Sequence, residues 1–169
     1  MLSHGKGHRF KSCTAHQTHM NIFEITAFHE AAHAVAAIRT GLPFEKVSAE
    51  PDEADESDGA LHWIELHDEL GLTMPPEALA VVLLAGPCAE ARVRRLRFDR
   101  ILAGEAAIGD RDSLATLGLS DAQFIAASRD TLALIEHDWP AIERVATALL
   151  AVGRLRFEEV ESIVLAEGT

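Results

Sequence analysis

Residues 28–35 read FHEAAHAV and decide how the rest of the chain is interpreted. His29 and His33 lie four residues apart, and on a helix with 3.6 residues per turn their side chains project from the same face. Imidazole nitrogens bind Zn²⁺ at about 2.0–2.1 Å, so both rings can reach one ion. Glu30 lies about 100° further round the helix, beside such an ion, where it is suited to act as a general base. The pattern predicts a zinc site, and its alternative is a helix with two structural histidines.

The residues around FHEAAHAV have a helical pattern from Ile25 to Thr40. Thr26 is a plausible N-cap, and Gly41 is suited to end the helix. The residues next to the histidines are mostly alanines, which leave room for a ligand and for close helix packing. We therefore expect the histidines to lie on a regular, closely packed helix.

A catalytic zinc ion needs a third protein ligand and an open fourth position. No histidine or aspartate follows His33 at short spacing, so the candidates lie further along the chain, at Asp110 and Asp112. Asp110 opens a predicted helix that extends to Leu117, and Leu114 and Leu117 would bury the face that Asp110 shares. We therefore prefer Asp110 as the third ligand and keep Asp112 as the alternate.

Composition limits the class of protein. The chain has 169 residues and a net charge of −12, which disfavours nucleic acid as a partner. Its longest apolar run, Ala78 to Ala85, is far shorter than the roughly 20 residues of a membrane span. Two cysteines give no disulfide framework, and a cytoplasmic location is the default expectation. Abundant Ala, Leu, Glu and Arg favour a mainly α fold.

The pattern along the chain predicts a flexible N-terminal arm over 1–20 and one domain over 21–169. Two alternating segments, Phe44 to Ala49 and Gly59 to Leu66, predict a small antiparallel β element beside the helices, giving an α+β domain. Further helices are predicted over 76–95, 110–117, 121–138, 140–152 and 157–165. Gly86-Pro87 is expected to interrupt the first of them, with Gly86 allowing close packing and Pro87 bending the helix, and Ser120 is the predicted N-cap of the 121–138 helix.

Several motifs in order resemble the protease domain of the FtsH-type zinc peptidases, the membrane-bound AAA+ metalloproteases. FHEAAHAV resembles the HEAGH helix of that family, and LPFEKVSAEP resembles the strand that follows it. LLAGPCAEARV is similar to the LAGRxAE helix, GDRDSLATL to the segment with the ligand aspartate, and LRFEEVESIV to the C-terminal segment. The chain departs from the family in having Ala32 in place of a glycine and Pro87 in place of an arginine.

The resemblance implies a helical zinc-metallopeptidase domain in which His29, His33 and an aspartate hold Zn²⁺ and Glu30 is the general base. It also implies that the strand near residues 59–64 lies along a cleft where an extended substrate adds as a further strand. The expected activity is that of a zinc metalloendopeptidase acting on peptides or unfolded protein segments without its own ATPase. The resemblance also allows a separate unfoldase as a partner and an oligomeric assembly. The alternative is a catalytically inactive peptide-binding or assembly module that keeps the fold.

Three further residues have two interpretations each. Glu90 either hydrogen-bonds towards the zinc helix or is an ordinary surface glutamate. Cys88, among alanines and leucines, is expected to be a buried and inert thiol, with a nucleophile as the alternative. His62 is expected to be an ordinary histidine, with a place near the substrate as the alternative.

Overall fold

The computed structural model describes residues 20–50, 60–63 and 74–166. Over these ranges the chain is mainly helical with a small antiparallel sheet, as the sequence predicts. The helices, α1 to α7 in chain order, are Ile22–Thr40, Pro76–Arg94, Phe98–Leu102, Ile108–Thr116, Asp121–His137, Trp139–Val152 and Phe157–Leu165. The strands, β1 to β3, are Phe44–Ser48, Ala60–Trp63 and Arg154–Arg156. The predicted arm lies outside the described residues except for Met20.

Helix α1 begins three residues earlier than the sequence pattern predicts. Its N-cap is Asn21, and the prediction of Thr26 at this position is wrong. The Asn21 side chain accepts a hydrogen bond from the backbone N–H of Glu24 at 2.9 Å, and the Glu24 carboxylate accepts one from the backbone N–H of Asn21 at 2.7 Å. This capping box satisfies two N–H groups that have no partner inside the helix. Gly41, with φ of 72°, ends the helix as predicted.

Helix α1 forms the centre of the fold. It packs against α2 on one side and α6 on another, and it also contacts the sheet. Every residue from His29 to Ala37 is buried, so the helix has no solvent-facing side over these two and a half turns. Helices that are buried all round are typical of protein cores, and the alanines on α1 permit close approach of its neighbours. The fold thus encloses HEAAH inside the core.

The sheet has the strand order β2-β1-β3, with both pairs antiparallel. Val47 on β1 is opposite Leu61 on β2 and Leu155 on β3, and this apolar row faces the core. The pairing of β1 with β2 confirms the predicted β element, although β1 ends at Ser48 and the predicted strand residues Gly59 and 64–66 lie outside the described residues. The sequence pattern did not predict β3, which has only three residues.

Helix α2 is continuous from Pro76 to Arg94 and includes Pro87. The predicted interruption at Gly86-Pro87 is therefore wrong. Proline has no N–H to donate to the carbonyl of Leu83, so the helix loses one of its hydrogen bonds. Gly86 and Pro87 are both buried, and packing against α1 and α5 maintains the helix there.

Helix α3 was not predicted, and the helices that follow it lie close to their predicted positions. Helix α4 begins at Ile108, two residues before the predicted start, and follows a 3-10 turn at Glu105–Ala107. Ser120 caps α5 through a reciprocal pair of hydrogen bonds with Gln123, which confirms the predicted cap. Helix α7 has the predicted bounds. Among the described residues, no helix combines the length and the apolar character that a membrane crossing requires.

Candidate metal centre

The two histidines of α1 lie side by side on the face that meets α2 and α4. Their ring centroids are 4.7 Å apart, and both side chains are buried. This is the arrangement that the four-residue spacing predicts for one helical turn. The histidines are therefore placed where a third group from another element can approach both of them.

That third group is Asp110, in the first turn of α4. One carboxylate oxygen lies 3.1 Å from Nε2 of His29, and the other lies 3.3 Å from Nε2 of His33. Asp112, two residues on, is exposed to solvent. Of the two aspartates that the sequence left as candidates, the structure brings Asp110 to the histidines and directs Asp112 away from the protein interior.

Nδ1 of each histidine, the ring nitrogen that does not face Asp110, lies next to a hydrogen-bond acceptor. Nδ1 of His33 lies 2.7 Å from the carbonyl oxygen of Val82, and because a carbonyl only accepts, Nδ1 carries the proton. Nδ1 of His29 lies 3.3 Å from a carboxylate oxygen of Glu90. These contacts leave both Nε2 atoms facing Asp110, which is the tautomer and orientation found in metal-binding histidines. Glu90 is 2% exposed, so its interpretation as a surface glutamate is wrong.

The donor set fits a zinc ion. Two imidazole nitrogens and one carboxylate oxygen are one of the three-ligand sets known from catalytic zinc sites, and bonds of about 2.0–2.1 Å in a tetrahedron separate the ligand atoms by about 3.3 Å. The two contacts of Asp110 with the histidines, at 3.1 and 3.3 Å, are close to this spacing. Among the described residues, His29, His33 and Asp110 form the one group with metal-binding side chains in this proximity.

Gly86 on α2 makes room for the site. A Cβ atom at this position would lie 2.5 Å from Nε2 of His29 and would also overlap Nε2 of His33. Any other residue would force the two rings apart, because such a contact is far inside van der Waals distance. The absence of a side chain at Gly86 is therefore required by the position of both histidines.

Glu30 is buried next to the group without joining it. One of its carboxylate oxygens is inaccessible to solvent and has no hydrogen-bond partner among the described residues. Burial raises the pKa of this carboxyl above its ordinary value. A carboxylate with a raised pKa is suited to accept a proton near neutral pH. Glu30 is thus a buried carboxyl beside the three residues, with one oxygen that no described group contacts by a hydrogen bond.

The titratable groups of this site have opposite charges. Burial lowers the pKa of His29, but its hydrogen bonds with Asp110 and Glu90 outweigh this effect and raise the pKa to about 10. Burial likewise opposes charge on His33, and the attraction of Asp110 again raises the pKa. Burial raises the pKa of Asp110, yet the adjacent imidazoles hold it well below its usual range. A metal ion that binds here must displace protons from the imidazoles.

Two further residues considered from the sequence, Cys88 and His62, do not belong to the group that could hold a metal. Cys88 is buried, and burial raises the pKa of its thiol to about 12, as expected for an inert cysteine. His62 lies on β2 opposite Lys46. Three potential metal-binding residues of the predicted N-terminal arm, Cys13, His16 and His19, lie outside the described residues, as does the acidic segment 51–58. The contributions of the Val82 carbonyl and Gly86 were missed, because neither has a side chain that marks a metal site in the sequence.

Comparison of the sequence with models of known protein families gave no match, and comparison with curated proteins gave none. The resemblance to FtsH-type peptidases therefore remains a prediction from the motifs. The geometry of the site is independent of it, because the distances and burial concern this chain alone.

Proposed function

We propose that this chain is a zinc-dependent metalloendopeptidase of the FtsH type that hydrolyses peptides or unfolded protein segments. The observation that carries the proposal is the convergence of two Nε2 atoms, from His29 and His33, on the carboxylate of Asp110. Glu30, buried beside them with an unpartnered oxygen, supports a hydrolytic role over simple metal storage. The order of the sequence motifs supports the same reaction class.

His29, His33 and Asp110 would hold the ion, with Glu90 and the carbonyl of Val82 fixing the two rings. When bound, zinc polarises a peptide carbonyl and lowers the pKa of water to about 7. Three protein ligands leave one tetrahedral position open for this purpose. The ligands come from α1 and α4, two regular helices, so their positions are rigid enough for catalysis.

Glu30 would move the proton. It accepts a proton from the attacking water as the oxygen bonds to the peptide carbon, and it then delivers that proton to the leaving nitrogen as the carbon–nitrogen bond breaks. Water is the only co-reactant, and the products are a new carboxyl and a new amino terminus.

The sheet suggests how a substrate is held. In the described sheet β2 pairs with β1 on one side only, so its other edge offers backbone N–H and C=O groups to an extended chain. Peptides bind to such edges by adding a strand, which selects for extended segments and against folded ones. This supports peptides and unfolded proteins as the substrate class.

The experiment that tests the proposal is cleavage of unfolded casein in the absence of ATP. We expect the purified protein to degrade casein, a chelator to stop the reaction, and added Zn²⁺ to restore it where Mg²⁺ does not. Fragments are separated by electrophoresis and their termini are read by mass spectrometry. Cleavage that continues at the same rate in excess chelator would contradict the proposal.

A further inference from the structure

The Glu90 carboxylate contacts a partner with each of its two oxygens. Oε2 lies 3.3 Å from Nδ1 of His29, and Oε1 lies 2.5 Å from Nη1 of Arg94, one helical turn further along α2. The Glu90 side chain is almost fully buried, and that of Arg94 is 41% exposed. The carboxylate of Glu90 thus connects Arg94, at the surface of α2, to His29 in the candidate metal centre.

The neighbouring arginines have different partners. The guanidinium of Arg92 lies 4.2 Å from the ring centroid of Trp139, and Arg97 pairs with Asp99 at the surface. In the part of the chain that the structure describes, Arg94 is the arginine that contacts Glu90. The glutamate-to-arginine spacing of four residues is also the favourable orientation for a helical ion pair.

Without Arg94, the carboxylate of Glu90 would be buried with one partner in place of two. A buried carboxylate needs compensating charge and hydrogen bonds to keep its position. Its remaining freedom to rotate would weaken the contact that orients the His29 ring. The guanidinium therefore has a consequence beyond that of an ordinary surface ion pair, which contributes little.

We propose that Arg94 is a positioning residue for the metal centre, acting through Glu90 on His29. The proposal rests on the metal site of the proposed function and adds a residue that does not contact the ion. Arg94 fixes one carboxylate oxygen so that the other holds Nδ1 of His29. The expected result is a site with higher metal affinity than the three ligands alone provide.

The test measures Zn²⁺ affinity by competition with a chromophoric chelator, together with the visible spectrum of the Co²⁺-loaded protein. Groups that contact a metal ligand directly contribute roughly 10- to 100-fold in affinity, so Arg94→Ala is expected to weaken binding about 10-fold. Arg94→Lys retains a cation within reach of Glu90 and should recover most of the loss. Arg97→Ala removes a nearby surface arginine that pairs with Asp99 and should leave affinity unchanged.

A double-mutant cycle tests whether Arg94 acts on His29 through Glu90. In a Glu90→Gln background, Arg94→Ala should cause no further loss, because there is no carboxylate for the guanidinium to fix. Unchanged affinity in Arg94→Ala, or an equal additional loss in the Glu90→Gln background, would overturn the inference. If the wild-type protein itself does not compete for Zn²⁺, the proposed metal site fails as well. These two failures are therefore distinguishable without measuring peptidase activity.

Discussion

Replacing Glu30 with glutamine is expected to abolish casein cleavage and leave metal binding intact. Glutamine has nearly the shape of glutamate, so the packing around α1 is preserved, but the amide cannot accept the proton of the attacking water. General bases contribute roughly 10²- to 10⁴-fold to rate, and a loss of about 10³-fold is expected here. Initial rates on unfolded casein and zinc content per chain are measured on the same preparations.

The matched control for this variant is Glu136→Gln, which makes the same chemical change on the exposed surface of α5. It should retain both activity and metal. A Glu30→Gln variant within twofold of wild type would rule out Glu30 as the base. If wild type and Glu30→Gln both retain zinc and are equally inert on a range of unfolded substrates, the binding-module alternative is favoured.

Asp110→Asn and Asp112→Asn are expected to differ sharply in zinc affinity, although the two residues are two positions apart on α4. Asp110 contacts both histidines, at 3.1 and 3.3 Å, and its side chain is 15% exposed. Asparagine is a poorer, uncharged ligand. Since groups that only touch a ligand contribute roughly 10- to 100-fold, loss of a ligand itself should exceed about 100-fold.

Asp112 is exposed and serves as the control, with affinity expected to match wild type. Competition with a chelator of known affinity provides the measurement, and circular dichroism verifies that both variants fold. Equal affinity in the two variants would show that Asp110 is not the third ligand. A loss confined to Asp112→Asn would mean that the site rearranges when metal binds.

The sequence predicted the position of the helix that holds both histidines because its signal is local. The spacing of His29 and His33 determines their common face whenever the segment is helical. The choice of Asp110 over Asp112 also came from local reasoning, since a residue that opens a helix with Leu114 on the buried face lies near the interior. Leu114 is indeed buried, although α4 begins earlier, at Ile108.

What the sequence did not predict depends on tertiary packing. Gly86-Pro87 was expected to interrupt α2, but a buried proline flanked by well-packed helices does not have to interrupt a helix. Asn21 lies outside the apolar pattern that suggested Thr26, and only the reciprocal pair with Glu24 reveals it as the cap. Strand β3 is too short to show an alternating pattern.

For the site too, the sequence predicted the residues with a local pattern and missed the contacts that depend on tertiary packing. Glu90 was a candidate in sequence because it lies on the helix that resembles the LAGRxAE segment, but only the structure shows its contacts with His29 and Arg94. No pattern marks the carbonyl of Val82 as the acceptor for His33. Gly86 was interpreted as a residue for close packing, and the structure adds that the space is taken up by the two imidazoles.

Elemental analysis of the protein as purified shows whether His29, His33 and Asp110 hold a zinc ion. The protein is prepared without a histidine tag and without added metal, so that any metal found was acquired in the cell. We expect about one zinc per chain, which is the content of a single site with three protein ligands. Protein that contains no zinc, and that takes up none on dialysis against a zinc salt, would contradict the assignment of His29, His33 and Asp110 as zinc ligands.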